Sequence, residues 1–148
     1  MRGGLNVACS RTVSAGEPDP ELEARHLAAC AVEAALIGAT RPGRSWADAL
    51  AAGQAAYRDA GFDGEWREHV QGGPIGYLSR EFDVVPGRAD AAGLITAGSA
   101  FAWNPTVRGA KSEDTFLVSG DGPAVAITNT ADWPAVNGPA SRPAILST

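Results

Sequence analysis

The chain has 148 residues, 45% of them hydrophobic and 20% charged, with a formal net charge of −5. That length suits one domain rather than two, and the apolar share describes a globular chain whose core is rich in alanine. The acidic balance, with no Lys/Arg cluster, excludes a nonspecific nucleic-acid binder, because displacing counterions from phosphates needs clustered cations.

No run approaches the roughly 18 apolar residues that span a bilayer, and the N-terminus lacks an apolar signal core, so a cytoplasmic protein is expected. Cys9 and Cys30 have no metal or redox spacing and read as small buried thiols of a reducing compartment.

In chain order, Leu5–Ala15 reads as one or two short strands closed by Gly16-Glu17-Pro18. Asp19-Pro20-Glu21 opens a helix with a capping acid, a proline at the first helical position and an acidic first turn. It is expected to run to Ile37 and stop at Gly38, with Leu27, Ala31, Ala34 and Ala35 as its apolar stripe and His26 on its polar face. Ser45 with Asp48 resembles a capping box for a second helix carrying Trp46, Leu50, Gly53 and Tyr57 at helical spacing, ended by Gly61. Beyond Gly61, glycines separate strand-like segments: Ile75–Ser79, Phe82–Val85, Ser99–Trp103, Thr115–Ser119 and Ala124–Thr128. Ser119-Gly120-Asp121-Gly122 signals a hairpin between the last two. The expectation is an α+β fold, an antiparallel sheet with two helices on one face, over residues 1–134, followed by a flexible Pro/Gly/Ala/Ser-rich tail at 135–148.

Three stretches together resemble the pita-bread metallopeptidases, the family of methionine aminopeptidase, aminopeptidase P, prolidase and creatinase. Phe101-Ala102-Trp103-Asn104-Pro105, then Lys111-Ser112-Glu113-Asp114-Thr115-Phe116-Leu117-Val118 and Asp121-Gly122, are similar in order and spacing to that family's Phe-Thr-Ile-Glu-Pro strand, Glu-Asp-Thr strand and glycine hairpin. Gly72-Gly73-Pro74-Ile75-Gly76 through Arg80-Glu81 overlays its Gly-His-Gly-Ile-Gly strand and following His-Glu pair. Ser10-Arg11-Thr12 resembles its Thr-Arg-Thr segment. The resemblance covers Cys9 to Trp133 and implies half to two-thirds of a pita-bread fold.

The resemblance also implies two divalent metals on two Asp, one His and two Glu, which clamp a substrate carbonyl and generate hydroxide. Manganese, cobalt or zinc suits such a donor set. Carried over position by position, the first Asp falls before Met1, the second near Ala8, the His on Gly73 and the first Glu on Asn104. Only the last Glu survives, as Glu113; His69, four residues before Gly73, is the one histidine able to approach the same place. Arg80 replaces the family's substrate-side His beside Glu81, and Tyr77, Asn104 and Trp103 are candidates for a ligand pocket, although strand alternation sets Trp103 and Asn104 on opposite faces. No phosphate loop, nucleophile elbow or Cys/His pair is evident.

Three readings follow. The first is a metal-degenerate relative of the peptidases, without a metal cofactor and without dinuclear catalysis. The second is a hydrolase whose site a partner subunit or an upstream segment completes. The third is a binding module for a peptide, a small molecule or a second copy, covering an exposed face by homodimerisation.

Overall fold

The computed structural model describes residues 4–136 and 141–148. Helix α1 spans Pro20–Ala39 and α2 spans Trp46–Asp59. Asp19 caps α1 by accepting from the Glu21 and Leu22 amides, and Ser45 and Asp48 close a reciprocal capping box on α2. The two-residue strand β1, Val13–Ser14, precedes the helices. After them come β2 (Gly72–Pro74), β3 (Ala100–Trp103), β4 (Thr106–Val107), β5 (Ala110–Lys111), β6 (Asp114–Leu117) and β7 (Val125–Ala126). Strands β8 (Ala135–Val136), β9 (Arg142–Pro143) and β10 (Leu146–Ser147) close the chain.

The main sheet runs β2-β3-β6-β7, antiparallel throughout. Its register makes two kinds of cross-strand row. Pro74, Phe101 and Phe116 share one row, and Trp103 faces Asp114 two positions along. Gly73, Ala102 and Thr115 form the row between, and by alternation their side chains point the other way. The first set faces the helices: Phe101 and Phe116 stack at 5.5 Å, and Trp46 of α2 meets Phe101 at 6.3 Å and Trp103 at 6.2 Å. Trp103 is fully buried and its indole N–H donates to Thr40 Oγ1 at 2.9 Å. The expected architecture, an antiparallel sheet with both helices on one face, is therefore the observed one.

Several local expectations need correction. The buried face of α1 carries His26, Ala29, Cys30, Glu33, Leu36 and Ile37, whereas Leu27 and Ala31 point to solvent. Alanine on every side leaves the helix with little contrast, and two of its buried positions are polar, which hides the stripe from a hydrophobicity count. Cys9 is exposed; Cys30 is buried. The strand expected at Ile75–Ser79 lies earlier, at Gly72–Pro74, and 82–85 forms no strand, although the Val84 amide still donates to Gly72 O. The segment expected to be a flexible tail is paired where it is described. β8 pairs with β9, β10 lies parallel to β1, and Arg142 is buried. Residues 137–140 of that segment and 1–3 of the domain lie outside the described residues.

The helices touch where Gly53 of α2 meets Leu36 of α1: a Cβ on Gly53 would lie 2.5 Å from Leu36 Cδ2, whereas one on Gly38 meets nothing within 4 Å. Gly38→Ala is thus expected to stabilise the fold by about 0.5–1 kcal/mol through helix propensity. Gly53→Ala is expected to cost about 1–3 kcal/mol, because overpacking exceeds the same propensity gain. Urea denaturation of the two variants checks the opposite signs.

Candidate functional site

The face of the sheet opposite the helices carries the positions that the family resemblance assigns to metal. Residues 6–10 cross it. The Asn6 amide donates to Gly76 O, Ala8 exchanges two hydrogen bonds with the Thr115 hydroxyl (2.8 and 2.9 Å), and the Ser10 amide donates to Glu113 O at 2.9 Å. Glu113, immediately before β6, is thereby brought beside Ser10. Its Oε2 accepts the Ser10 hydroxyl at 2.8 Å and lies 3.0 Å from Lys111 Nζ. A lysine ammonium and a hydroxyl therefore occupy the carboxylate that the resemblance gives to a metal.

The other positions offer less. Ala8 presents a methyl group and backbone amides already bonded to Thr115. Gly73 has φ +150°, and a Cβ there would stand 2.8 Å from Val84 Cγ2 and 3.0 Å from Phe82 O. A histidine could enter this backbone only by displacing Val84, which is itself in the core. The Asn104 amide, turned to donate, reaches Gln71 O at 3.0 Å and Val70 O at 3.1 Å, so it staples the loop before β2. Among the described residues no three His, Cys, Asp or Glu side chains converge on a point that could hold a metal ion. The residues present do not fit a dinuclear centre, since Glu113 is the one carboxylate among these positions and its Oε2 is already held by Lys111 and Ser10.

The remaining candidates are dispersed. Arg80 pairs with Asp83 at 3.0 Å on the surface, and Glu81 Oε1 accepts the Leu78 amide at 3.3 Å. Tyr77 is exposed, while Trp103 belongs to the core and is withdrawn from any pocket because alternation turns it under the helices. His69 is engaged elsewhere: its Nδ1 lies 2.7 Å from Val70 O, and the residue borders a cavity with Leu50, Trp66 and Val84.

The densest cluster of ionisable groups is one the sequence did not reveal, on the helix side of the sheet. Arg142 of β9 bonds Glu33 of α1 (Nε to Oε2, 2.7 Å) and Asp114 of β6, and its guanidinium lies over the Phe116 ring. Arg11 bonds the other Asp114 oxygen at 2.9 Å. Glu33 also accepts from Ser112 Oγ and from the Asp114 amide at 3.0 Å. One turn back on α1, His26 and Cys30 make a Cys–His contact of 3.5 Å. His26, expected on the polar face, is buried, with Nε2 2.8 Å from Pro143 O. The one available signal was spacing, since His26, Cys30, Glu33 and Ile37 follow a helical repeat on one face.

Burial pushes the Glu33 carboxyl up to about 7, against lowering by Arg142 and by the Ser112 and Arg142 hydrogen bonds. The cluster ties α1, β6, the N-terminal segment and the C-terminal strands together.

A helix-backed antiparallel sheet with these motifs on its open face defines the C-terminal half of a pita-bread peptidase domain. The profile of metallopeptidase family M24 matches residues 2–129, and the chain belongs to that family. It is similar to the dipeptidase PepE from Mycobacterium ulcerans (26% identity, TM-score 0.72, 94% of this chain and 35% of that one). It also resembles a prolidase from Thermococcus sibiricus (18%, 0.72, 95% and 35%) and a dipeptidase from Pyrococcus horikoshii (20%, 0.75, 97% and 38%). The chain thus spans about a third of the length of these solved structures. No curated protein sequence matches it.

Because the folded Glu33 binds its proton more tightly than the unfolded chain does, its contribution to stability is greatest below about pH 4.5 and declines as pH rises to about 7. Denaturation at pH 5 and pH 8 is expected to show wild type losing on the order of 1–3 kcal/mol more than Glu33→Gln over that interval. Equal losses would remove Glu33 as the titrating group.

Proposed function

We propose that this M24 chain lacks dinuclear-metal catalysis and acts by binding, with the peptidase name describing ancestry. The observation that carries the reading is Glu113, the one surviving carboxylate of the resemblance, held by the Lys111 ammonium and the Ser10 hydroxyl. A cation of the chain itself neutralises it, and its neighbours Ala8, Gly73 and Asn104 supply no second anionic donor. Metal binding at Oε2 would have to compete with Lys111 and Ser10. The likeness to the N-terminal domain of the FACT complex subunit SPT16 from chickpea (17% identity, TM-score 0.58) is in keeping with this fold serving outside peptidases. Two free thiols, Cys9 and Cys30, support a reducing compartment such as the cytoplasm. Among the described residues no helix is long and apolar enough to cross a membrane.

Calorimetric titration with manganese, cobalt and zinc, alongside a dipeptide-hydrolysis assay, tests the proposal. The expected result is no tight site, no metal-dependent turnover and no change on Glu113→Ala. Two tight sites abolished by Glu113→Ala would restore a hydrolase with unorthodox ligands.

A second reading, in which another polypeptide covers or completes the face, is favoured by one surface feature. Leu5, Val7, Tyr77 and Leu78 are each more than half exposed, and Asn6 ties the two segments together through Gly76 O and Tyr77 O. Large apolar side chains exposed on two hydrogen-bonded segments are the composition of an interface. Sedimentation velocity is expected to show a dimer that Val7→Glu with Tyr77→Glu returns to monomer without moving the unfolding midpoint. A wild-type monomer at the highest soluble concentration would leave only a different partner protein.

A further inference from the structure

A cavity of about 570 Å³ lies on the helix side of the sheet, between the last turns of α1, strands β6 and β7, and Pro123. None of Ala8, Gly73, Asn104 or Glu113 lines it. Phe116 and Ala126 are direct cross-strand partners, so both side chains point from the sheet toward α1, and Ala124 packs against the same core. With Ile37 and Pro123 they make an apolar wall, and no Asp or Glu among the described residues borders the space.

Helix α1 lends this wall a glycine. Gly38 is the last residue but one of the helix, where only proline is a poorer helix former. Its φ is not positive, and a Cβ there would meet nothing within 4 Å, so neither a turn nor a close approach calls for glycine. What the missing side chain leaves is room beside the cavity.

Arg41 supplies a charge without a counter-charge. Its guanidinium joins the two walls: Nε donates to Gly38 O at 2.9 Å and Nη1 to Gly122 O at 3.3 Å, and Gly38 and Pro123 both border the space. Both acceptors are carbonyls, so among the described residues the positive charge is unpaired and the remaining N–H groups are unspent. Arg41 is exposed and therefore within reach of a ligand from solvent. The other guanidinium at the cavity, that of Arg142, is already paired with Glu33 and Asp114.

We propose that this cavity binds a small monocarboxylate with an apolar body, the carboxylate on Arg41 at the mouth and the body against Phe116, Ala124 and Ala126. The volume suits a ligand of about ten non-hydrogen atoms. Charge selects the class. A cation would meet Arg41 and no carboxylate, whereas a carboxylate matches the guanidinium fork. One unpaired cation suits one negative charge. The site lies apart from Glu113 and stands whether or not the opposite face is catalytic.

The test uses the full chain, ¹⁵N-labelled, and two probes of nearly equal shape, octanoate and its uncharged amide, octanamide. Wild type at low salt is expected to bind octanoate about fivefold more tightly, the order of factor that one exposed ion pair supplies, and the difference is expected to shrink in concentrated sodium chloride. Both probes should shift the amide resonances of Gly38, Ala124 and Ala126. Arg41→Gln should lower octanoate affinity to that of octanamide and leave octanamide unchanged. Ala124→Trp, which fills the space, should abolish both interactions while the chain still unfolds cooperatively. Equal affinities in wild type, octanoate binding unmoved by Arg41→Gln, shifts confined to other parts of the chain, binding that survives Ala124→Trp, or no octanoate binding at millimolar concentration would each overturn the proposal. Should Ala124→Trp fail to fold, the wild-type comparison and Arg41→Gln, a change at an exposed residue, still decide it.

Discussion

The chain is closed by one buried guanidinium. Arg142 reaches from β9 to Glu33 on α1 and to Asp114 on β6, and Arg11 approaches the same Asp114 from the N-terminal segment. Two cations and two carboxylates thus join four parts of the sequence that are otherwise held by short strands. A charge withdrawn from water is costly, and removing one partner of such a group costs about 3–5 kcal/mol because it strands the other. The arrangement persists here because nearly every oxygen is also hydrogen-bonded: Ser112 and the Asp114 amide serve Glu33, and Thr128 serves Asp114. It also explains why the last eight residues, polar and rich in turn formers, are part of the fold. They supply the cation that the acidic side chains under α1 require.

The same electrostatic rule, applied to the opposite face of the sheet, describes the surroundings of Glu113. A carboxylate in a partly buried strand needs a positive partner, and in a dinuclear peptidase the metals supply it. Here Lys111, two residues before Glu113, meets that need from within the chain. At positions 8, 73 and 104 the chain makes backbone hydrogen bonds or close packing: Ala8 with Thr115, Gly73 against Val84, and Asn104 to the Gln71 and Val70 carbonyls. The packed core lies on the other face, in the aromatic contacts of Trp46, Phe101, Trp103 and Phe116.

Much of this was legible in the sequence. The caps of both helices, the buried positions of α2, the β3 and β6 motifs and the family itself follow from local chemistry and spacing. Alternation alone separated Trp103 from Asn104. What escaped was every feature in which a polar residue is buried by a distant one. Glu33 and His26 break the apolar stripe of α1, so a count of hydrophobic positions chose Leu27 and Ala31, which are exposed. Arg142 sat in a segment whose composition suggests a loose tail. The surroundings of His69 were not legible either: its Nδ1 meets Val70 O, and it borders a cavity with Leu50 and Val84.

The sequence by itself determined which residue types are available on each strand and helix, and hence the family and the fold class. These are local properties, set by capping, period and motif spacing. Only the tertiary structure decided which charges neutralise which. Arg142 with Glu33 and Asp114, and Arg11 with Asp114, are pairings fixed by where the chain folds back. Electrostatic partnership in a buried site depends on distances of a few ångströms between residues that can be a hundred positions apart, and no local pattern encodes that.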